Sequence, residues 1–273
     1  VLLTTDPRLL SAIVGGNLEK LYREDRAVGR LLDAHKSRGK LQPSIYMQLL
    51  SDKKGKSPSP NELLRVTRKI RQYLRDPVYA LEVDERLSCA HSWSIADERE
   101  GLRRYLCDEG NPTVPVADRS GLLRMFCDAL ETRMLAFPSE DGDEPLAIPL
   151  VEFGYAADSE DRLKSHAKHR NSNFIMNLTE SICMGLWGED KYRMRQQIIY
   201  YIWNANHGFV AESLFTMIGR GYIYDGFGFS HHPAGQNNPS LLRITQGNWI
   251  MWQTDVYRRP LLKENLARVQ EKS

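Results

Sequence analysis

The sequence predicts an α/β fold of the α+β kind: a helical N-terminal region, then a small mixed sheet flanked by helices. Three observations predict it. Apolar residues recur at helical spacing through much of residues 1–131. Two segments of the second half, Leu146 to Tyr155 and Ile198 to Trp203, have the composition of strands. The chain has 273 residues, 41% of them hydrophobic, enough to bury one large core or two small ones.

The elements follow in order. Leu18, Leu21, Tyr22, Val28, Leu31 and Leu32 mark early helices, and Pro43-Ser44 opens a short apolar segment, Ile45 to Leu50. A loop of turn formers from Asp52 to Pro60 carries Lys53, Lys54 and Lys56. Asn61 is the expected cap of the next helix, which places Leu63, Val66, Ile70 and Leu74 on one face and Arg65, Arg68, Lys69, Arg71 and Arg75 on much of the rest. Residues 78–131 read as acidic helices with a loop at Gly110-Asn111-Pro112. Arg133 to Phe137 reads as a short strand, joined by a turn-rich tip to Leu146–Tyr155 in a hairpin. There follow a charged helix over Asp158–His169, an amphipathic one over Asn173–Leu186, the strand Ile198–Trp203 and a helix over Phe209–Gly219. A glycine-rich aromatic loop and a C-terminal helical stretch broken at Pro260 complete the chain. The divisions expected are 1–131, 132–247 and 248–273.

The net charge of +2 hides an uneven distribution: residues 1–75 carry +9 and residues 76–149 carry −9. The basic third suits a polyanion such as DNA, and the opposed segments equally suit pairing within or between chains. No apolar run approaches the roughly 18–20 residues of a membrane helix, and the opening VLLTTDPRLL lacks the form of a signal peptide. Cys89, Cys107, Cys127 and Cys183 are widely spaced, without a CxxC pair, as expected of buried thiols in a reducing compartment. An intracellular protein is expected, with the nucleus favoured if DNA is the substrate.

The segment Phe153-Gly154-Tyr155 through Arg162 to His166 carries the sharpest pattern. Arg162 and His166 are four apart on a helix and share a face. Arginine offers a planar two-pronged donor matched to a phosphate, and a glycine turn lets a phosphodiester approach the backbone. This segment resembles the second motif strand and first helix of GIY-YIG endonucleases, over about residues 132–240. The resemblance extends to a later strand, to Glu212 on an apolar helix, and to Asn237 or Asn238 in the place of the family's asparagine loop. It implies a divalent-metal-dependent DNA endonuclease. Glu212 would hold one Mg²⁺ or Mn²⁺, Arg162 would neutralise charge on the phosphoryl oxygens, and a tyrosine or His166 would help deprotonate water. Lys53, Lys54, Lys56, Arg65, Arg68, Lys69, Arg71 and Arg75 would contact the DNA backbone.

The sequence departs from the family at both motif tyrosines. The strand expected at Arg133–Phe137 has none, and Glu152 stands two residues before Gly154, leaving Tyr155 as a substitute of different direction. A non-catalytic nucleic-acid or protein-binding module is therefore a second reading. A helical scaffold is a third, which absence of a hairpin over 133–155 would favour. His166 and His169 lack further ligands at zinc spacing. His231-His232 fits a structural turn before Pro233 as well as a catalytic role.

Overall fold

Leu9, Ala12 and Ile13 of α1 (Pro7–Val14), Leu18 of α2 (Leu18–Glu24), and Val28 and Leu32 of α3 (Arg26–Arg38) are buried along one stripe of each helix. That periodicity is what makes the N-terminal region helical. The computed structural model describes residues 1–88, 91–236 and 239–271. Cys89 therefore lies outside the described residues, while Cys107, Cys127 and Cys183 are buried free thiols. No helix among the described residues is long and apolar enough to cross a membrane.

The apolar segment after Pro43 is β1 (Ser44–Ser51), buried along its whole length. Then come α4 (Pro60–Tyr73), α5 (Pro77–Asp84) and the short α6 (Ile95–Arg99). Gly110 turns a small hairpin, β2 (Cys107–Asp108) with β3 (Asn111–Pro115), ahead of α7 (Arg119–Leu135). The second half contributes β4 (Val151–Ala156), α8 (Ser159–His166), α9 (Phe174–Trp187), β5 (Arg193–Tyr201), α10 (His207–Ile218), α11 (Gln246–Arg258) and α12 (Pro260–Gln270).

The main sheet has the order β4-β1-β5 and both pairings are antiparallel. This is an α+β architecture, as the sequence predicts, with three corrections. Arg133–Phe137 is not a strand: residues 133–135 are the last turn of α7, so no hairpin spans 133–155. The partner of β4 is β1, more than a hundred residues upstream. A boundary at 131/132 would accordingly cut α7 and separate the central strand of the sheet from both neighbours. The cap of α4 is Ser59, in a reciprocal capping box with Glu62, while Asn61 donates to Asp143.

Strand alternation sorts the sheet into two faces. Ile45, Met47 and Leu49 meet Val151, Phe153 and Ile199 in a core closed by α1, α2, α3, α10 and α11. A second core gathers α4, α5, α7 and α9 around Leu50, Leu150 and Met194. Between them, on the face opposite the first core, β1 presents Ser44, Tyr46 and Gln48. Ser44 Oγ lies 2.5 Å from Ser159 Oγ, which seats the start of α8 on this polar face. A polar strip in the middle of a sheet is expensive to bury unless every group is partnered, and the candidate site grows from that strip.

Candidate functional site

The pairing register places Tyr46 opposite Gly154 and Gln48 between Glu152 and Gln196. Gly154 has a spatial reason. A Cβ built there would lie 2.3 Å from Tyr46 Oη and 2.5 Å from Cζ, so the phenol occupies the room a side chain would take. Above this row runs α8, begun by Asp158, whose carboxylate accepts from the Asp161 N–H. Arg162 and His166 project from α8 over the strip. The His166 ring stands edge-on to Tyr46, with centroids 5.5 Å apart.

A cleft of about 920 Å³ opens here. Its walls include Tyr46, Glu152, Tyr155, Arg162, His166 and Glu212. Four site residues expected from the sequence, Tyr155, Arg162, His166 and Glu212, thus meet in one place, although Glu212 arrives on α10, fifty residues after Arg162. Tyr46 was missed. Its strand was legible as an apolar segment, but nothing local in the sequence ties it to β4.

The electrostatics of the cleft are set by burial. The Tyr46 phenol is pushed up to about 12 by burial, with the Arg162 charge pulling the other way. Burial pushes Glu212 up to about 7, while the Gly235 N–H and the Arg162 charge hold it down. Glu152 is pushed up to about 8, again by burial, against donors from Asn173 Nδ2 at 3.3 Å and Ser230 Oγ at 3.2 Å. The Glu212 charge raises both Glu152 and Tyr46 further. Glu152, Asp158, Asp161 and Glu212 line the cleft with one arginine, Arg162, which leaves it short of positive charge.

His166 is neutral, its pKa pushed down to about 3 by burial and then by Arg162. The hydrogen-bond network assigns its tautomer. Leu163 C=O can only accept, so the group facing it at 3.2 Å is the Gln196 amide NH₂. That NH₂ also donates to Gln48 Oε1 at 3.0 Å, which leaves Gln48 Nε2 to donate to His166 Nδ1 at 2.8 Å. The ring proton therefore sits on Nε2, which is buried without a full hydrogen bond, although the Asn171 carbonyl lies close enough to favour the protonated ring. His166 is built as a donor. The expectation that it takes a proton from water is corrected by this network, because the basic nitrogen is occupied.

Tyr155 is the weaker tyrosine. It joins the first core on the far face of the sheet and reaches the cleft at its rim, where its hydroxyl lies 2.9 Å from Ser240 Oγ. Asn237 and Asn238 lie outside the described residues. None of the eight basic residues expected to bind DNA lines the cleft. Lys53, Lys54, Lys56, Arg65, Arg68 and Arg75 are exposed. Lys53 pairs with Asp190 at 3.0 Å. Lys69 is half-buried, donates to Gln72 and stands over the Tyr79 ring. Arg71 is turned inward to Asp128 and Glu131 at 2.5 and 2.9 Å, so part of the basic segment does dock on the acidic one. The His231 and His232 rings lie 4.1 Å apart, tilted by 49°, on the cleft wall, and burial pushes His231 down to about 4.

Glu212 is the side chain that fits a divalent cation. Its charge is only partly matched, whereas burial keeps Glu152 mostly protonated at neutral pH with its oxygens accepting from Asn173 and Ser230. No cage of three or more metal-binding side chains stands among the described residues. A Mg²⁺ ion that keeps several waters and uses one carboxylate with substrate phosphate needs none.

Glu152 yields a stability prediction. Its folded pKa lies above its unfolded one, so its contribution is fully present below about pH 4.5 and is lost as pH rises through about 8. Glu152→Gln keeps the hydrogen-bonding shape of the neutral acid. It is expected to stabilise the protein by about 4 kcal/mol more at pH 9 than at pH 5. Urea unfolding at the two pH values measures this, and an equal effect at both would contradict it.

No family model matches the chain, and neither a curated protein nor a solved structure matches it.

Proposed function

We propose that the protein is a divalent-metal-dependent DNA endonuclease with a diverged GIY-YIG domain. One observation carries the reading: Tyr46, Gly154, Arg162, His166 and Glu212, scattered over 167 residues, converge on one cleft. Tyr46 supports it most. It stands on the strand beside the glycine strand, which is where the family's first tyrosine belongs, and residues 52–150, which separate the two strands, leave that neighbour without a local trace in the sequence. Glu152 still replaces the second tyrosine, so this cleft has one phenol facing it squarely rather than two.

In this reading Arg162 takes the non-bridging phosphoryl oxygens, its fork matched to them and half-buried where attraction is stronger than in water. His166, fixed by Gln48 and edge-on to Tyr46, holds the phenol in place and stays neutral through the whole working range. Tyr46, beside the Arg162 charge, positions the attacking water rather than ionising at neutral pH. Glu212 would hold the cation, which when bound supplies Lewis-acid stabilisation of the phosphate. Because Glu212 titrates near 7, cation binding releases a proton and should tighten as pH rises through 7.

The missing 133–155 hairpin is the sign that would favour a helical scaffold. The antiparallel partner of β4 is nevertheless present as β1, so the sheet that a scaffold would lack is built. A non-catalytic module draws its support from Glu152 and from the single phenol. Plasmid nicking with Mg²⁺ and Mn²⁺ separates the readings. The expected result is nicking that disappears with chelator and in Glu212→Ala. Salt-sensitive DNA binding without nicking would establish the binding module, and neither would return the scaffold reading to the front.

A further inference from the structure

Beside the cleft lies a second cavity of about 680 Å³, within the range that holds whole small molecules. Asn171 and Ser172 line both, so the two share a wall. That wall is unusual backbone: His169 and Asn171 have φ of 56° and 49°, and the Asn171 N–H is held by the Glu109 carboxylate at 3.1 Å. Left-handed conformations at non-glycine residues are held only when the surroundings impose them.

The second cavity differs in chemistry from the first. Trp93, Tyr105 and Phe174 give part of its wall an aromatic surface. The Trp93 indole is 7% exposed, and its N–H is buried with no acceptor. The His91 ring stands edge-on to Trp93 at 4.5 Å. Phe174 carries the Arg119 guanidinium over its ring at 4.8 Å, and Arg119 is held there by the Cys107 carbonyl. Asp108 and Glu109 share this wall with Arg104, Arg119 and Arg170, so acceptors and donors both stand at the cavity's edge. Aromatic faces with an unmet donor and adjacent carboxylates suit a nucleobase, which is flat, stacks, and presents carbonyl acceptors.

Resting on the endonuclease reading, we infer that this cavity receives one unpaired nucleobase of the substrate strand next to the phosphate held in the cleft. The substrate class is then DNA with an extruded or unpaired nucleotide beside the cutting site. A base already out of the stack enters at least cost, so such DNA is favoured over a perfect duplex.

The test is fluorescence anisotropy in EDTA, where nothing is cut, on three oligonucleotide probes. One is a fully paired duplex, the second carries a single unpaired thymidine, and the third has an abasic tetrahydrofuran residue in place of that thymidine. The wild-type protein is expected to bind the thymidine probe about tenfold more tightly than the other two, the scale of one stacked base. Trp93→Phe, which keeps an aromatic face but removes the indole N–H, is expected to shrink that preference. Equal affinity for thymidine and tetrahydrofuran probes in the wild type overturns the inference, and does so whether or not the variant folds. The endonuclease reading is judged separately by cutting in Mg²⁺: cutting without base preference removes only the second cavity's role, while absence of both binding and cutting removes both.

Discussion

Arg162→Ala is expected to reduce metal-dependent cleavage about a thousandfold while leaving the fold intact. The side chain sits at the electrostatic centre of the cleft: Tyr46, Glu212 and His166 all feel its charge. Its removal takes the positive charge from beside the Tyr46 phenol and releases Glu212 to rise above 7, so the carboxylate that would hold the cation becomes harder to ionise. The helix itself should tolerate the change, since alanine is the best helix former and Asp158 still caps α8. Two consequences distinguish this from simple unfolding. The circular dichroism spectrum should match wild type, and residual activity should shift its pH dependence upward, following Glu212. Arg162→Lys restores charge without the planar fork and should recover only part of the loss. Single-turnover nicking rates across pH measure all of this, and an Arg162→Ala rate within a fewfold of wild type would remove Arg162 from the chemistry.

How much of this was legible in the sequence depends on the range of the interaction concerned. Helices with strong local signals came through: α8 starts after Asp158, α9 after Asn173, and α12 at Pro260. Arg162 and His166 were legible because helical spacing fixes their relation without any tertiary knowledge. Glu212 was legible as an acid on an apolar helix. The sheet was not legible, because β1 and β4 are joined by long-range pairing that leaves no periodic trace. The resulting gap was filled by the nearest short apolar run, Arg133–Phe137. That run belongs to α7, where Leu130 and Met134 are buried four residues apart and fix it as helix. The tautomer of His166 was equally out of reach, since Gln48 and Gln196 come from different strands. The α4 arginines illustrate the converse: composition marked a basic face, but Arg71 spends its charge on α7.

Gly154→Ala tests the one contact on which site and fold both depend. The position has ordinary backbone torsions, as it is absent from the positive-φ glycines, so the argument is purely one of space. The added methyl would stand 2.3, 2.5 and 2.9 Å from Tyr46 Oη, Cζ and Cε2. The ring cannot yield cheaply: it is 3% exposed, on the central strand, with His166 against it. Overpacking of this kind costs about 1–3 kcal/mol. Cleavage should fall with it, because a displaced Tyr46 loses Arg162. The cause is isolated by a double-mutant cycle. In a Tyr46→Ala background the space is already empty, so Gly154→Ala should cost almost nothing there, a coupling on the order of the single-variant loss. Tyr46→Phe should not relieve the clash, since Cζ and Cε2 remain. Urea unfolding of the four proteins gives the cycle. If Gly154→Ala costs the same with and without the tyrosine ring, the glycine is required for some other reason and Tyr46 is not what fixes the floor of the cleft.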